Sequence, residues 1–242
     1  SRNNEITITE SGNLLYKRAK QIFNIIDDTP GELIENNNDD VVGSIKIGVN
    51  SVLEEYFLPK FLSEFLKKYP NINIDIFTDS DKNILNEIDI GLIEELYEKN
   101  TLMQNRFLRE KMVLIIPYAN TIKDISTYMN ELKSKRWITR EDNCSTKHFI
   151  DLFLKENHLK PESMLTLGSD YAIKEAVKNK LGISIIPKLI AEPSYKNEDI
   201  CILPLESYYE KYFTYVLNDN NHSKSTTIFL NELKNFCKHF YR

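Results

Sequence analysis

The chain is predicted to be an α/β protein of two lobes with mixed sheets, on three observations. From Gly43 onward, short apolar strands alternate with segments of helical periodicity. From about Thr121 the same alternation begins again, as a second unit would. Ahead of both, a polar stretch separates one narrow-seamed helix from the first strand.

The bulk numbers fit this. At 242 residues the chain suits one large or two modest domains, and 41% hydrophobic with 28% charged residues is a globular composition. No window reaches the roughly 18 uninterrupted apolar residues that a membrane span needs. The start, Ser1-Arg2-Asn3-Asn4-Glu5, is polar, without the apolar core of a signal peptide. Cys144, Cys201 and Cys237 are odd in number and widely spaced, so no disulfide framework is expected. These features favour the cytoplasm and no membrane contact. A domain that grips DNA unaided is expected to be basic, and the net charge here is −5. The chain itself is therefore expected to be a poor DNA binder.

The elements follow in order. Glu5–Thr9 alternates as half a hairpin would, and Thr9 then caps a helix with Glu10 in its first turn. Leu15, Ala19, Ile22 and Ile26, spaced 4, 3 and 4, form a narrow seam suited to one partner helix. Asp27 to Asp40, with Pro30, Gly31 and an Asn/Asp cluster, reads as a linker. Ser44–Val49 is a strand, and Asn50-Ser51 a turn and helix cap. Leu58, Phe61, Leu62, Phe65, Leu66 and Tyr69 mark a buried helix face that Pro70 ends. Ile72, Ile74 and Ile76 form the next strand, followed by buried strands at 88–93 and 112–116. In the second unit a helix to about Lys135 precedes a strand at Trp137–Arg140 and a helix from Ser145. Met164–Leu167, Ser169–Asn179 and Ile183–Ile185 read as strand, helix and strand. Tyr212–Leu217 is a late strand, and Ile228, Phe229, Leu233, Phe236 and Phe240 line one side of a terminal helix.

Five segments, in this order, resemble the LysR-type transcriptional regulators. Ile6-Thr7-Ile8-Thr9-Glu10-Ser11-Gly12 is similar to the wing strand and linker-helix entry. Gly43-Ser44-Ile45-Lys46-Ile47-Gly48 is similar to the first effector-domain strand. Leu58-Pro59 with Phe65 and Tyr69-Pro70, Glu87-Ile88-Asp89-Ile90-Gly91, and Leu181 to Pro187 complete the set. The resemblance implies a periplasmic-binding-protein-like (type 2) architecture of two Rossmann-like lobes joined by two crossover strands. It also implies a linker helix that pairs in a homodimer or a tetramer, and DNA contact only through a helix-turn-helix absent from this sequence. Residues 1–9 would be the wing remnant, 10–28 the dimerisation helix and 29–42 a hinge linker. Lobe I would take 43–119 and 218–242, and lobe II 120–217. One departure is that only Asp79–Glu87, with Ile84 and Leu85, stands where the family carries a full helix.

No phosphate loop, Gly-x-Ser-x-Gly, His-Glu-x-x-His or Cys-x-x-Cys is present, so no enzyme and no cofactor is expected. Cys144 and His148 stand four apart without two further ligands in sight, so no metal site is expected. Strand ends deliver three helix N-termini, at Asn50-Ser51, Ser145-Thr146 and Ser169, whose free N–H groups suit anions. Arg140, at a strand end, can pair bidentately with a carboxylate, and Glu141 and Asp142 beside it either accept an amine or are solvated loop charges. Ordinary helix caps use the same residue types. The resemblance turns these positions towards the effector cleft: Asn50, Ser51, Arg140, Glu141, Asn143, Ser145, Thr146 and Ser169. Val52, Ile186 and Pro187 either line that cleft or belong to the core. The effector expected is a carboxylate, an amino acid or an inorganic oxyanion. Rival expectations are an extracytoplasmic solute-binding protein, and an enzyme of the same bilobal build that would need Arg140 and Glu141 as its titratable pair.

Overall fold

The computed structural model describes residues 9–33, 41–78, 88–95, 105–119, 128, 131–142, 144–217 and 223–240. The wing remnant up to residue 8, half of the hinge linker (34–40), the 79–87 segment and Asn143 lie outside them. So does most of the helix expected before Lys135.

Thr9 starts helix α1 (Glu10–Leu33), its Oγ1 accepting the Gly12 N–H at 3.1 Å. The helix runs past residue 28, where patterning put its end. Pro30 falls in the last turn, and its missing N–H removes a single bond close to the helix end. Leu15, Ile22 and Ile26 of the seam are more than half exposed, as are Leu14, Tyr16, Phe23 and Ile25, while Ala19 is half-buried.

Two compact units make up the chain, one of Ser1–Ile93 with Tyr215–Arg242 and the other of Glu94–Thr214. The chain passes between them inside two strands, β3 (Ile90–Glu94) and β9 (Glu210–Leu217). Patterning put the first change at 119/120. It falls earlier because β4 (Arg106–Pro117) pairs with strands of the second unit.

In unit 1, β1 (Gly43–Val49) pairs in parallel with β2 (Ile72–Thr78) and with β3. Asp89 fixes the β1–β3 join by holding both backbone groups of one residue: its Oδ2 accepts the Lys46 N–H and its own N–H donates to Lys46 O, each at 2.8 Å. A Cβ on Gly91 would lie 2.6 Å from Val216 Cγ2, so any larger residue here must displace that side chain. A π-helical turn, Leu53–Phe57, leads into α2 (Leu58–Lys68). Leu58, Phe61 and Phe65 are buried on it, whereas Leu66, expected on the same face, is exposed. These rings meet helix α6 (Lys224–Cys237), with Phe61 edge-on to Phe229 at 5.1 Å between centroids.

In unit 2, the first half of β4 runs antiparallel to β9, and its second half lies antiparallel to β7 (Ser184–Pro187) and β8 (Ile200–Pro204). A separate parallel pair joins β5 (Trp137–Thr139) to β6 (Met164–Thr166). Helices α3 (Ser145–Glu156), α4 (Asp170–Lys178) and α5 (Lys188–Lys196) surround these strands. Trp137 centres the core with Phe149, Phe153 and Tyr209, its Nε1 donating to Leu132 O at 3.2 Å. Gly182 is required by packing, since a Cβ there would sit 2.4 Å from Arg136 O.

Candidate functional site

The chemistry in unit 2 gathers at the N-terminus of α3. A helix start leaves N–H groups without intrahelical acceptors, so each start needs a cap. Ser169 Oγ caps α4 by accepting the Ala172 N–H at 3.1 Å. Pro187 precedes α5 and offers no side-chain acceptor, but the buried carboxylate of Glu110 accepts the Leu189 N–H at 2.7 Å. Helix α3 has neither an oxygen cap nor a borrowed carboxylate, for its cap position holds Cys144, whose sulfur is only a weak acceptor towards the Thr146 N–H. The next hydroxyl, Thr146 Oγ1, is fully buried and has no hydrogen-bond partner. Such a group costs about 1–3 kcal/mol while unsatisfied.

Charged groups surround this start. Arg140 follows β5 and grips Glu141 bidentately, Nη2 to Oε1 at 2.6 Å and Nε to Oε2 at 3.0 Å. Its Nη1 also lies 3.6 Å from Asp170 Oδ1, an oxygen that is buried and accepts no hydrogen bond. Those contacts, the Glu141 hydrogen bonds first, hold the guanidinium firmly protonated and draw the Glu141 carboxyl down to about 2. From β9, Lys211 Nζ reaches Glu94 Oε2 at 3.0 Å and Ser145 Oγ at 3.3 Å. Burial works against the ammonium, yet the carboxylates of Glu94, Asp170 and Glu110 outweigh it and raise its pKa. The Cys144 thiol goes the other way for an acid, pushed up first by burial and then by Asp170.

Of the residues expected from the sequence, Arg140, Glu141, Ser145 and Thr146 come together here. Ser169 sits beside Asp170, but its hydroxyl is committed to its own helix. Ile186 is fully buried in β7 opposite Val113, a core position. Asn50, Ser51 and Val52 belong to unit 1, where Asn50 Oδ1 accepts the Leu53 N–H at 3.0 Å, Ser51 is exposed and Val52 is buried. Lys211, Glu94 and Asp170 were not among the sequence candidates. Among the described residues, no group of three His, Cys, Asp or Glu side chains is placed to hold a metal ion. The arrangement has charged donors, helix amides and hydroxyls, and a thiol held protonated, which is the chemistry of recognition.

Comparison with known proteins agrees. Residues 38–238 match the family described as the LysR substrate binding domain. The HTH-type transcriptional regulator CysL of Bacillus subtilis is 30% identical over 240 residues, which are 94% of this chain and 79% of that protein. A probable RuBisCO transcriptional regulator of Phaeodactylum tricornutum is 28% identical over 246 residues, covering 96% and 80% respectively. Among solved structures, the Synechocystis CcmR regulatory domain in complex with 2-PG superposes with a TM-score of 0.65 at 24% identity, covering 81% of this chain and 98% of that one. The effector binding domain of QuiR in complex with shikimate gives 0.61 at 17% identity, with the same coverages of 81% and 98%. At these identities the structural likeness establishes the fold, the periplasmic-binding-protein type of α/β effector domain. No described helix is long and apolar enough to cross a membrane.

Proposed function

Because this chain belongs to the LysR family of transcriptional regulators, through the substrate-binding domain matched over residues 38–238, we propose that a small anion or zwitterion binds at the N-terminus of α3 and acts as its effector. The observation that carries this reading is Thr146 Oγ1, buried without a partner at the one helix start in unit 2, among the described residues, whose N–H groups meet no carboxylate or hydroxyl acceptor. A carboxylate or oxyanion seated there accepts from the α3 amides and from Thr146, at the end of the helix where the dipole favours negative charge. Arg140 supplies the bidentate partner by exchanging Glu141, which is exposed enough to return to water. Asp170 Oδ1 is an open acceptor for an ammonium group, the observation that keeps amino acids among the ligands.

An effector that binds one arrangement of the regulator better than another shifts the population between them, typically by about 1–3 kcal/mol. The exposed apolar residues of α1 support pairing with α1 of a second copy, through Leu15, Ala19, Ile22 and Ile26, as a homodimer or a tetramer of such pairs. DNA would be held by the helix-turn-helix part of the regulator, in the cytoplasm, and this acidic chain would govern how the paired heads sit on it. The relatives are transcriptional regulators, so neither transport nor turnover is assigned.

The test is thermal unfolding of the chain against carboxylates, amino acids, sulfate and phosphate. At least one class is expected to raise the midpoint in proportion to its occupancy of the folded state. Arg140→Ala is expected to weaken that ligand by about 2–4 kcal/mol. A panel without any concentration-dependent rise, or a variant that binds as the parent does, would remove the α3 site.

A further inference from the structure

We infer that Lys211 is the charge-reading residue of the α3 site, with the Glu94 carboxylate as an internal place-holder that an anionic effector displaces. This rests on the anion-binding reading above and names the side chain that selects for charge.

The side chain of Lys211 is 1% exposed. A buried ammonium is costly unless an opposite charge and hydrogen bonds compensate it, and Glu94 with Ser145 takes two of its three hydrogens. Its location is the informative part. Ser145 is the first residue of α3, so a permanent cation stands against the positive end of a helix dipole. Placed there for stability alone, the charge would work against the helix. Placed there for an anion, both the charge and the dipole point at the same guest.

Helices α4 and α5 of the same unit show how such ends are settled internally. Ser169 closes α4, and the Glu110 carboxylate, directly across the ladder from Lys211, closes α5. Helix α3 is left with a thiol at its cap, an unpartnered Thr146 hydroxyl and a lysine. Glu94 neutralises that lysine from the side, as an exchangeable counter-ion does, and supplies no cap to the α3 amides, which face only the weakly accepting Cys144 sulfur. Both partners stand on the strands in which the chain passes between its units, Glu94 on β3 and Lys211 on β9. An exchange of partners at Lys211 therefore acts directly on both crossover strands.

The experiment is thermal unfolding of the chain titrated with sulfate, ionic strength being held constant with chloride, for the parent, Glu94→Gln and Lys211→Met. Glu94→Gln is expected to unfold at a lower midpoint without sulfate and to bind sulfate at least tenfold more tightly than the parent. Lys211→Met is expected to lose the sulfate response. A purely structural ion pair would lower the midpoint of Glu94→Gln without tightening sulfate, and that result overturns the inference. Unchanged sulfate binding in Lys211→Met overturns it too. If Lys211→Met does not fold, Glu94→Gln alone decides, with Lys211→Arg expected to keep the response. The outcomes separate the two readings: with no ligand in the whole panel the α3 site itself falls, whereas a bound ligand indifferent to Glu94→Gln removes only Lys211.

Discussion

Glu110 Oε1 accepts the Leu189 N–H at 2.7 Å from a position without solvent exposure, so a strand residue closes a helix that its own cap residue, Pro187, cannot. The same carboxylate lies across the β4–β9 ladder from Lys211. Glu110→Ala removes a helix cap and a buried counter-charge together, and is expected to cost about 3–5 kcal/mol in urea unfolding. Glu110→Gln keeps an acceptor for the amide and is expected to cost less than half of that. Equal losses in the two variants would assign the effect to charge alone.

Acid dependence follows from Arg140 and Glu141. Their hydrogen bonds draw the Glu141 carboxyl down to about 2 from an ordinary value of 4.5. A carboxyl depressed by folding contributes stability that is complete above its unfolded pKa and is lost as pH falls from about 4.5 towards 2. Glu141 is more than half exposed, so solvent screening holds this to under about 1 kcal/mol. The midpoint of Glu141→Gln is expected to lie less than about 3 °C below the parent at pH 6 and to meet it near pH 2. A gap independent of pH would assign the loss to packing.

The cysteines are expected to be slow. Burial pushes the Cys237 thiol up to about 12, and burial with Asp170 raises that of Cys144. Only thiolate reacts with alkylating agents, so at pH 8 both are expected to label at least tenfold more slowly in the folded chain than in urea. Mass spectrometry of the labelled peptides checks this, and fast native labelling of Cys144 would show that its thiol is neither shielded nor held protonated.

Ile22→Asp is expected to halve the mass seen by light scattering while circular dichroism stays that of the parent. Ile22 is 58% exposed, so the substitution has little of the chain's own core to disturb. An unchanged mass would show that α1 does not carry the assembly.

Much of the framework was legible because period and burial coincide. Strand β1 alternates in sequence and in burial, and Asp89-Ile90-Gly91 marked β3 through its resemblance to the family. Helix α5 was missed because Pro193 interrupts a segment of only 9 residues, and β8 because 5 residues between loops carry little period. At the site, Arg140, Ser145 and Thr146 were visible because they are strung along one strand-to-helix turn. Lys211 and Glu94 were not, since 117 residues separate them and each looks like an ordinary strand-end charge. Only the folded ladder, which sets Lys211 beside the start of α3, gives either of them meaning.

The division of the chain also sets an order of assembly. Unit 2 is one uninterrupted stretch, Glu94–Thr214, whereas unit 1 is finished by Tyr215–Arg242. Phe229 and Phe236, which complete the ring cluster of Phe57, Phe61 and Phe65, leave the ribosome after every residue of unit 2. Domains fold as units during synthesis, usually from the N-terminal side, but unit 1 cannot be complete here before all of unit 2 has been made. Lys211, Glu94 and Ser145 can meet while the aromatic face of unit 1 still waits for its other half. A nascent chain stalled just after unit 2 would therefore hold every residue of the proposed anion site on a half-built protein.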